Sequence, residues 1–220
     1  NVANYLRRAG YTAALSGYND YAIDPRILPP DDRRTCSLDY DNLLPGFDEI
    51  VKQEYDCPAY FDDLRSKGYP PELCCHEEIH HPAVPPEGPG RHLHCYFPAK
   101  YKAEDSEAQF LTSRTIDWMA GQGDGPWFAN INYLKPHPPR VCAAPYHAMY
   151  REWEPPPANR TEAELERPHP YFRLMHRHAA FENEQYLKDM QRCYYGTITE
   201  VDACLGRLFD FLRQSGHWDD

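Results

Sequence analysis

Long apolar runs are missing from this 220-residue sequence: nothing approaches the ~20 consecutive residues that a membrane-spanning helix needs. An excess of positive charge is missing too. The formal net charge is −11, which argues against electrostatic capture of nucleic acid or an anionic membrane, although a local basic pocket is still compatible with it. Internal repeats and low-complexity tracts are lacking. The eight cysteines lack the regular spacing of a disulfide framework, and Cys74 and Cys75 are adjacent. A chain of this size does not need staples, so mostly reduced thiols and a cytoplasmic location are expected. Neither end reads as a natural boundary. Asn1 is not an initiator Met, no charged-then-apolar leader follows it, and Trp218-Asp219-Asp220 stops just past a helix. An internal piece of a longer protein is therefore expected.

What is present is proline, 22 residues, and tyrosine, 17, in long stretches without periodicity. They suggest ordered loops between sparse regular elements rather than a helical bundle. Val2, Leu6 and Ala9 form a helical stripe that Gly10 can end, and Thr12 to Gly17 reads as a short buried strand. Residues 24–100 read as a long loop excursion with one or two short helices, for example Ala59 to Ser66. A helix should begin near Glu104, with Ala108, Leu111, Thr115 and Trp118 on one face and Gly121 at its stop. Trp127 to Leu134 is a second strand. After another Pro-rich stretch, Tyr194, Ile198, Val201, Leu205, Leu208 and Leu212 mark a helix over about 182–214, capped by Ser215-Gly216. Helix, strand, loops, helix, strand, loops, helix is the order of an α/β sheet with helices on its faces, and further strands are expected outside the chain.

Chemistry is suggested first by Leu134-Lys135-Pro136-His137-Pro138-Pro139, directly after a predicted strand. Ligands of open α/β sheets bind beyond the strands' carboxyl ends. A Lys and a His held there by prolines can bind an anionic oxygen and protonate a leaving group. His76-Glu77-Glu78-Ile79-His80 matches the zinc-protease pattern H-E-x-x-H, but Pro70-Pro71 and Pro82 leave room for only a short helix. Cys74, Cys75, His76 and His80 form an alternative metal cluster, as would suit a non-catalytic binding module; a solvated turn is the plainer reading. His92 and His94 beside Cys95 could line a pocket or an exposed edge. Asp31-Asp32-Arg33-Arg34 reads as a charged turn, and Asn159-Arg160-Thr161 as a chance sequon.

Three ordered stretches resemble the sulfatases of the alkaline phosphatase superfamily. Val2 to Tyr11 looks like the helix that follows that family's Cys/Ser-x-Pro-x-Arg nucleophile segment. Gly125 to Pro139, followed by Pro145-Tyr146-His147-Ala148-Met149-Tyr150, resembles the family's strand, Arg/Lys-Pro-His-Pro turn and Pro-Tyr segment. Tyr194 to Asp202, Leu205 to Leu208 and Gly216 to Asp220 resemble the helix that leads to the strand bearing its Asp-His metal ligands. Where most sulfatases carry Lys-x-His after the second strand, this sequence has Gly17-Tyr18-Asn19-Asp20, which looks more like the phosphonate monoester hydrolase branch.

The resemblance implies a partial alkaline-phosphatase-like domain filling residues 1–220, with a mostly parallel sheet, helices on both faces and long Pro-rich loops. It implies hydrolysis of a small anionic sulfate, phosphate or phosphonate ester by a formylglycine nucleophile beside a divalent cation (Ca, Mn or Mg). His137 would assist the leaving group, and Tyr18, Asp20 and Lys135 would contact the ester. The sequence itself holds no Cys-x-Pro-x-Arg and no Asp-Asp ligand pair of the expected kind. Nucleophile and metal ligands are therefore expected outside it, the chain alone is expected to be inactive, and the whole enzyme's oligomeric state is left open.

Overall fold

The computed structural model describes residues 1–19, 21, 24–32, 43–53, 57–83, 97–157, 163, 166–175 and 184–219. Its backbone contacts group into two compact units. The first comprises Asn1–Ile79, Glu104–Lys135 and Val201–Asp220; the second comprises His80–Ala103 and Pro136–Glu200.

A three-stranded parallel sheet organises the first unit, with strand order β2-β1-β3: β1 is Thr12–Tyr18, β2 Asp48–Gln53 and β3 Trp127–Asn132. The central strand is buried from Ala13 to Gly17, as expected of a parallel strand covered on both faces. Helix α1, Val2–Arg8, feeds directly into it. The Gly10 amide bonds the Arg7 carbonyl and the Tyr11 amide bonds the Leu6 carbonyl, both at 3.0 Å, with Gly10 at φ +90°. This glycine-terminated cap turns the chain into β1 within three residues. The expected stripe is rotated: Ala3 is buried and Leu6 half-buried, while Val2 and Ala9 are exposed. Ala3, Ala13, Leu15 and Phe47 form a core cluster with Leu43, Leu44 and Phe128 packed on it.

The excursion over 24–100 is not all loop. It supplies β2, whose charged sequence Asp-Glu-Ile-Val-Lys-Gln buries only Val51 and Gln53, as befits an edge strand. It also supplies α2, Pro58–Ser66, with Tyr60, Phe61 and Leu64 buried, and the four-residue helix α3, His76–Ile79.

Helix α4, Glu107–Ala120, packs against all three strands. Ser106 caps it by accepting from the Gln109 amide at 3.2 Å, and Gly121 ends it. Because α4 precedes the parallel strand β3, its first turn lies toward the strands' carboxyl ends. Arg207 holds α4 from the final helix through the Gln109 side-chain oxygen and through Ser113 Oγ, the latter at 3.0 Å.

In the second unit, Pro82 and Ala99 form an isolated antiparallel bridge, the Ala99 amide donates to the Cys142 carbonyl at 2.9 Å, and the Tyr101 hydroxyl donates to the Val141 carbonyl at 3.4 Å. Helix α5 is Pro170–Met175, and α6 runs for 32 residues, Glu184–Ser215, ending at Gly216 with φ +82°. The covered face of α6 overlaps the expected one: Leu208 is buried, and Ile198, Val201, Leu205 and Leu212 are half-buried. Cys193, Gly196, Thr197, Glu200, Cys204 and Leu208 are covered, whereas Tyr194 is exposed. Small and hydrogen-bonded side chains, not the large apolar ones, mark where the chain comes closest. Gly196 shows why: a Cβ there would sit 2.8 Å from the Tyr146 carbonyl oxygen and 3.2 Å from Cys142 Sγ.

Candidate functional site

The carboxyl edge of the sheet is built from the ends of β1 and β3. Gly17 pairs in register with Asn132 and adopts φ +100°; a Cβ there would overlap the Asn132 carbonyl oxygen. Only glycine fits this combination of conformation and close approach. Asn132 Nδ2 then donates to the Tyr18 carbonyl at 2.7 Å, and Asn130 Nδ2 donates to Asn132 Oδ1 at 3.3 Å. Tyr18 is half-buried and is paired on its other side with Gln53.

Beyond β3, the Tyr133 hydroxyl is 2.7 Å from Thr112 Oγ1 on α4, and burial pushes the Tyr133 phenol up to about 12. Lys135 follows, half-buried. Its positive charge acts on Glu107, the first residue of α4, which is only 8% exposed. Burial raises the Glu107 carboxyl to about 7, and the Lys135 charge opposes that shift. Cys57, at the start of α2, is a buried thiol pushed up to about 12 by desolvation. It is therefore an inert core group rather than a nucleophile.

In the second unit, His137 is exposed on the turn after Pro136. Its Nδ1 lies 2.6 Å from the Pro138 carbonyl. A carbonyl only accepts, so Nδ1 carries the proton in this contact and Nε2 is the ring nitrogen left for other partners. The Pro138–Pro139 and Ala144–Pro145 peptide bonds are cis. The segment after this turn is anchored on α6. Glu200, fully buried, accepts from the Ala143 amide at 3.1 Å, and the Tyr150 hydroxyl is 2.8 Å from Thr199 Oγ1. Tyr150, Trp153 and Tyr195 stack edge-on or tilted, with ring centroids 5.0 to 6.2 Å apart.

Of the residues anticipated from sequence, Tyr18 and Lys135 lie at the sheet edge of the first unit and His137 lies in the second. Asp20, His92, His94, Cys95, Arg33, Arg34 and the sequon at 159–161 fall outside the described residues. The Cys74 to His80 metal cluster is not supported. Helix α3 ends at Ile79, one residue before His80, and Ile79 itself is buried. Cys74 Sγ instead faces the Pro70 carbonyl at 3.4 Å. Among the described residues no three His, Cys, Asp or Glu side chains group as metal ligands, so those residues do not fit the divalent cation that the sequence resemblance implies. Sequence reasoning missed Asn132, Glu107 and Glu200. Two asparagines at alternate positions of an otherwise apolar strand were the available sign for Asn132.

The three-stranded parallel sheet with helices packed against it defines an α/β fold among the described residues. The sequence matches the Sulfatase family over residues 1–220, and the chain belongs to that family. It is 33% identical to the multifunctional alkaline phosphatase superfamily protein PehA of Trinickia caryophylli, over 100% of this chain and 45% of that protein. A choline-sulfatase of Rhizobium meliloti (strain 1021) is 24% identical, over 99% of this chain and 40% of the relative. The crystal structure of a phosphonate monoester hydrolase of Agrobacterium radiobacter superposes with a TM-score of 0.85 at 32% identity, covering 100% of this chain and 45% of that one. The chain thus spans less than half the length of the relatives it matches. Among the described residues no helix is long and apolar enough to cross a membrane.

Proposed function

We propose that this chain carries substrate-facing and leaving-group-facing residues of a hydrolase acting on small anionic sulfate, phosphate or phosphonate esters. The observation that carries the reading is the family match over all 220 residues, combined with a half-buried Tyr18 and Lys135 at the carboxyl edge of the parallel sheet. In this reading the Lys135 ammonium and the Tyr18 phenol bind non-bridging ester oxygens, and Asp20 flanks them. A proton borne on Nε2 of His137 passes to the departing oxygen, while the Nδ1 bond to Pro138 fixes the ring. The nucleophile and a divalent cation (Ca, Mn or Mg) are assigned to residues beyond those described. Held by such residues, a divalent cation would supply charge neutralisation at the ester, while Lys135 and Tyr18 bind its non-bridging oxygens. Residues 1–220 act as part of one domain, and on their own they are inactive. The net charge of −11 speaks against nucleic acid or an anionic membrane as partner, and the free thiols Cys57, Cys74 and Cys75 suit a cytoplasmic location.

The test is to purify the full-length protein and assay it against an aryl sulfate and the matching aryl phosphonate monoester. Turnover of either that falls in His137→Ala supports the reading, and the preferred ester identifies the substrate class. A pure, folded, metal-supplemented protein that turns over neither ester refutes it.

A further inference from the structure

The sheet ladder at its carboxyl edge stops one residue short of Tyr18 on the β3 side, because the last β1–β3 register pair is Gly17 with Asn132. The Asn132 side chain takes over where backbone pairing ends. Its Nδ2 reaches the Tyr18 carbonyl at 2.7 Å, and its Oδ1 accepts from Asn130 Nδ2 at 3.3 Å, which fixes which end of the amide is donor and which is acceptor. Gly17 makes the approach possible, since its missing Cβ lets the Asn132 backbone press against β1. Three residues after Asn132, the same strand exit leads to Lys135. One neutral amide therefore ties together the backbone exits that carry both proposed ester-binding side chains.

We infer that Asn132 is a positioning residue of the ester site, holding the Tyr18 backbone by its carbonyl so that the Tyr18 and Lys135 exits keep a fixed spacing. The inference rests on the function proposed above. The carbonyl requires a donor, and an aspartate of the same shape offers only acceptors and repels it. Misplacing a binding group by about 1 Å costs up to roughly 100-fold in rate.

The experiment compares full-length wild type, Asn132→Asp, Asn132→Ala, Tyr18→Phe and the double variant Asn132→Asp/Tyr18→Phe on the preferred ester, with hydrogen exchange on each. Asn132→Asp and Asn132→Ala should each lower kcat/KM about 10- to 100-fold. Asn132→Asp should cost less than about 2-fold further once Tyr18 is Phe, because the two act as one unit. The amides of Gly17, Tyr18 and Asn19 should exchange at least about 10-fold faster in both Asn132 variants, while those of α4 stay unchanged. Additive losses in the double variant, or kcat/KM within about 2-fold of wild type in Asn132→Ala, overturn the inference. Should wild type turn over neither ester, the proposed function fails, and exchange at residues 17–19 still decides separately whether Asn132 holds the strand end. Unchanged exchange there overturns the inference whatever the activity.

Discussion

Asn132 donates its side-chain amide to the carbonyl of Tyr18, a residue 114 positions earlier, across a glycine that no other residue can replace without collision. The contact joins two strands at the edge where the ester site is proposed, and it makes Gly17 the most demanding position in the first unit. Gly17→Ala places a methyl group against the Asn132 carbonyl and forces a left-handed backbone on alanine. The left-handed conformation alone costs about 1–2 kcal/mol, and the overlap adds to it. A stability loss above roughly 2 kcal/mol is expected in urea unfolding. A midpoint unchanged from wild type would show that the strand ends are not pressed together as described.

Glu107 should make stability depend on pH in a definite direction. Its carboxyl titrates near 4.5 when the chain is unfolded and near 7 in the folded protein, because burial disfavours the charge. Between those values the unfolded state has released its proton and the folded state has not, so stability falls as pH rises from 4.5 to 7 and is level above. The penalty accumulates to roughly 3 kcal/mol. Glu107→Gln should therefore be more stable than wild type at pH 8, and this advantage should shrink steadily toward pH 4.5. Denaturant unfolding at four pH values reads the difference directly; an advantage that does not vary with pH contradicts the assignment.

Two glycines of α6 should respond oppositely to the same substitution. At Gly206 an added methyl group would have no atom within 4 Å, so Gly206→Ala should stabilise by the usual helical preference of about 0.5–1 kcal/mol. At Gly196 the same methyl group would stand 2.8 Å from the Tyr146 carbonyl oxygen, so Gly196→Ala should destabilise despite the same gain in propensity. Thermal melts of the two variants side by side test the close approach of residues 142–146 to the helix. Two shifts of the same sign would rule it out.

His137 should matter in proportion to how badly the leaving group needs a proton. In the full-length protein, His137→Ala should lower kcat by about 10²- to 10⁴-fold for an alkyl ester. It should have far less effect for a nitrophenyl ester, whose departing oxygen is already a weak base. An equal loss for both leaving groups would assign His137 to binding rather than proton transfer.

Much of the fold was legible because its signals are local. The glycine at position 10, the glycine at 121 and the β-rich run from Trp127 each specify their own backbone state. β2 was not legible. An outer strand needs one covered face at most, so Asp48, Glu49 and Lys52 are tolerated and the apolar alternation disappears. The α6 face was only partly legible for a related reason: hydrophobic periodicity finds large apolar side chains such as the buried Leu208, whereas the closest packing there uses Gly196, Thr197 and a buried Glu200 whose carboxylate is met by the Ala143 amide. Of the residues proposed for the site, Lys135 and His137 stood out by their place after a predicted strand and by resemblance to family motifs, and Tyr18 by that resemblance. Asn132 carries no such mark, because its role depends on a carbonyl in another strand.

By itself the sequence determined the family, the parallel α/β order and the positions of the main helix stops, all of which rest on short-range patterns and side-chain identity. Tertiary structure alone decided that residues 48–53 join the sheet, that α6 is closely approached at Gly196, that Glu107 is buried near the Lys135 charge, and that Asn132 extends the ladder to Tyr18. These depend on which distant backbone groups are left without partners. That is settled only when the strands and helices meet.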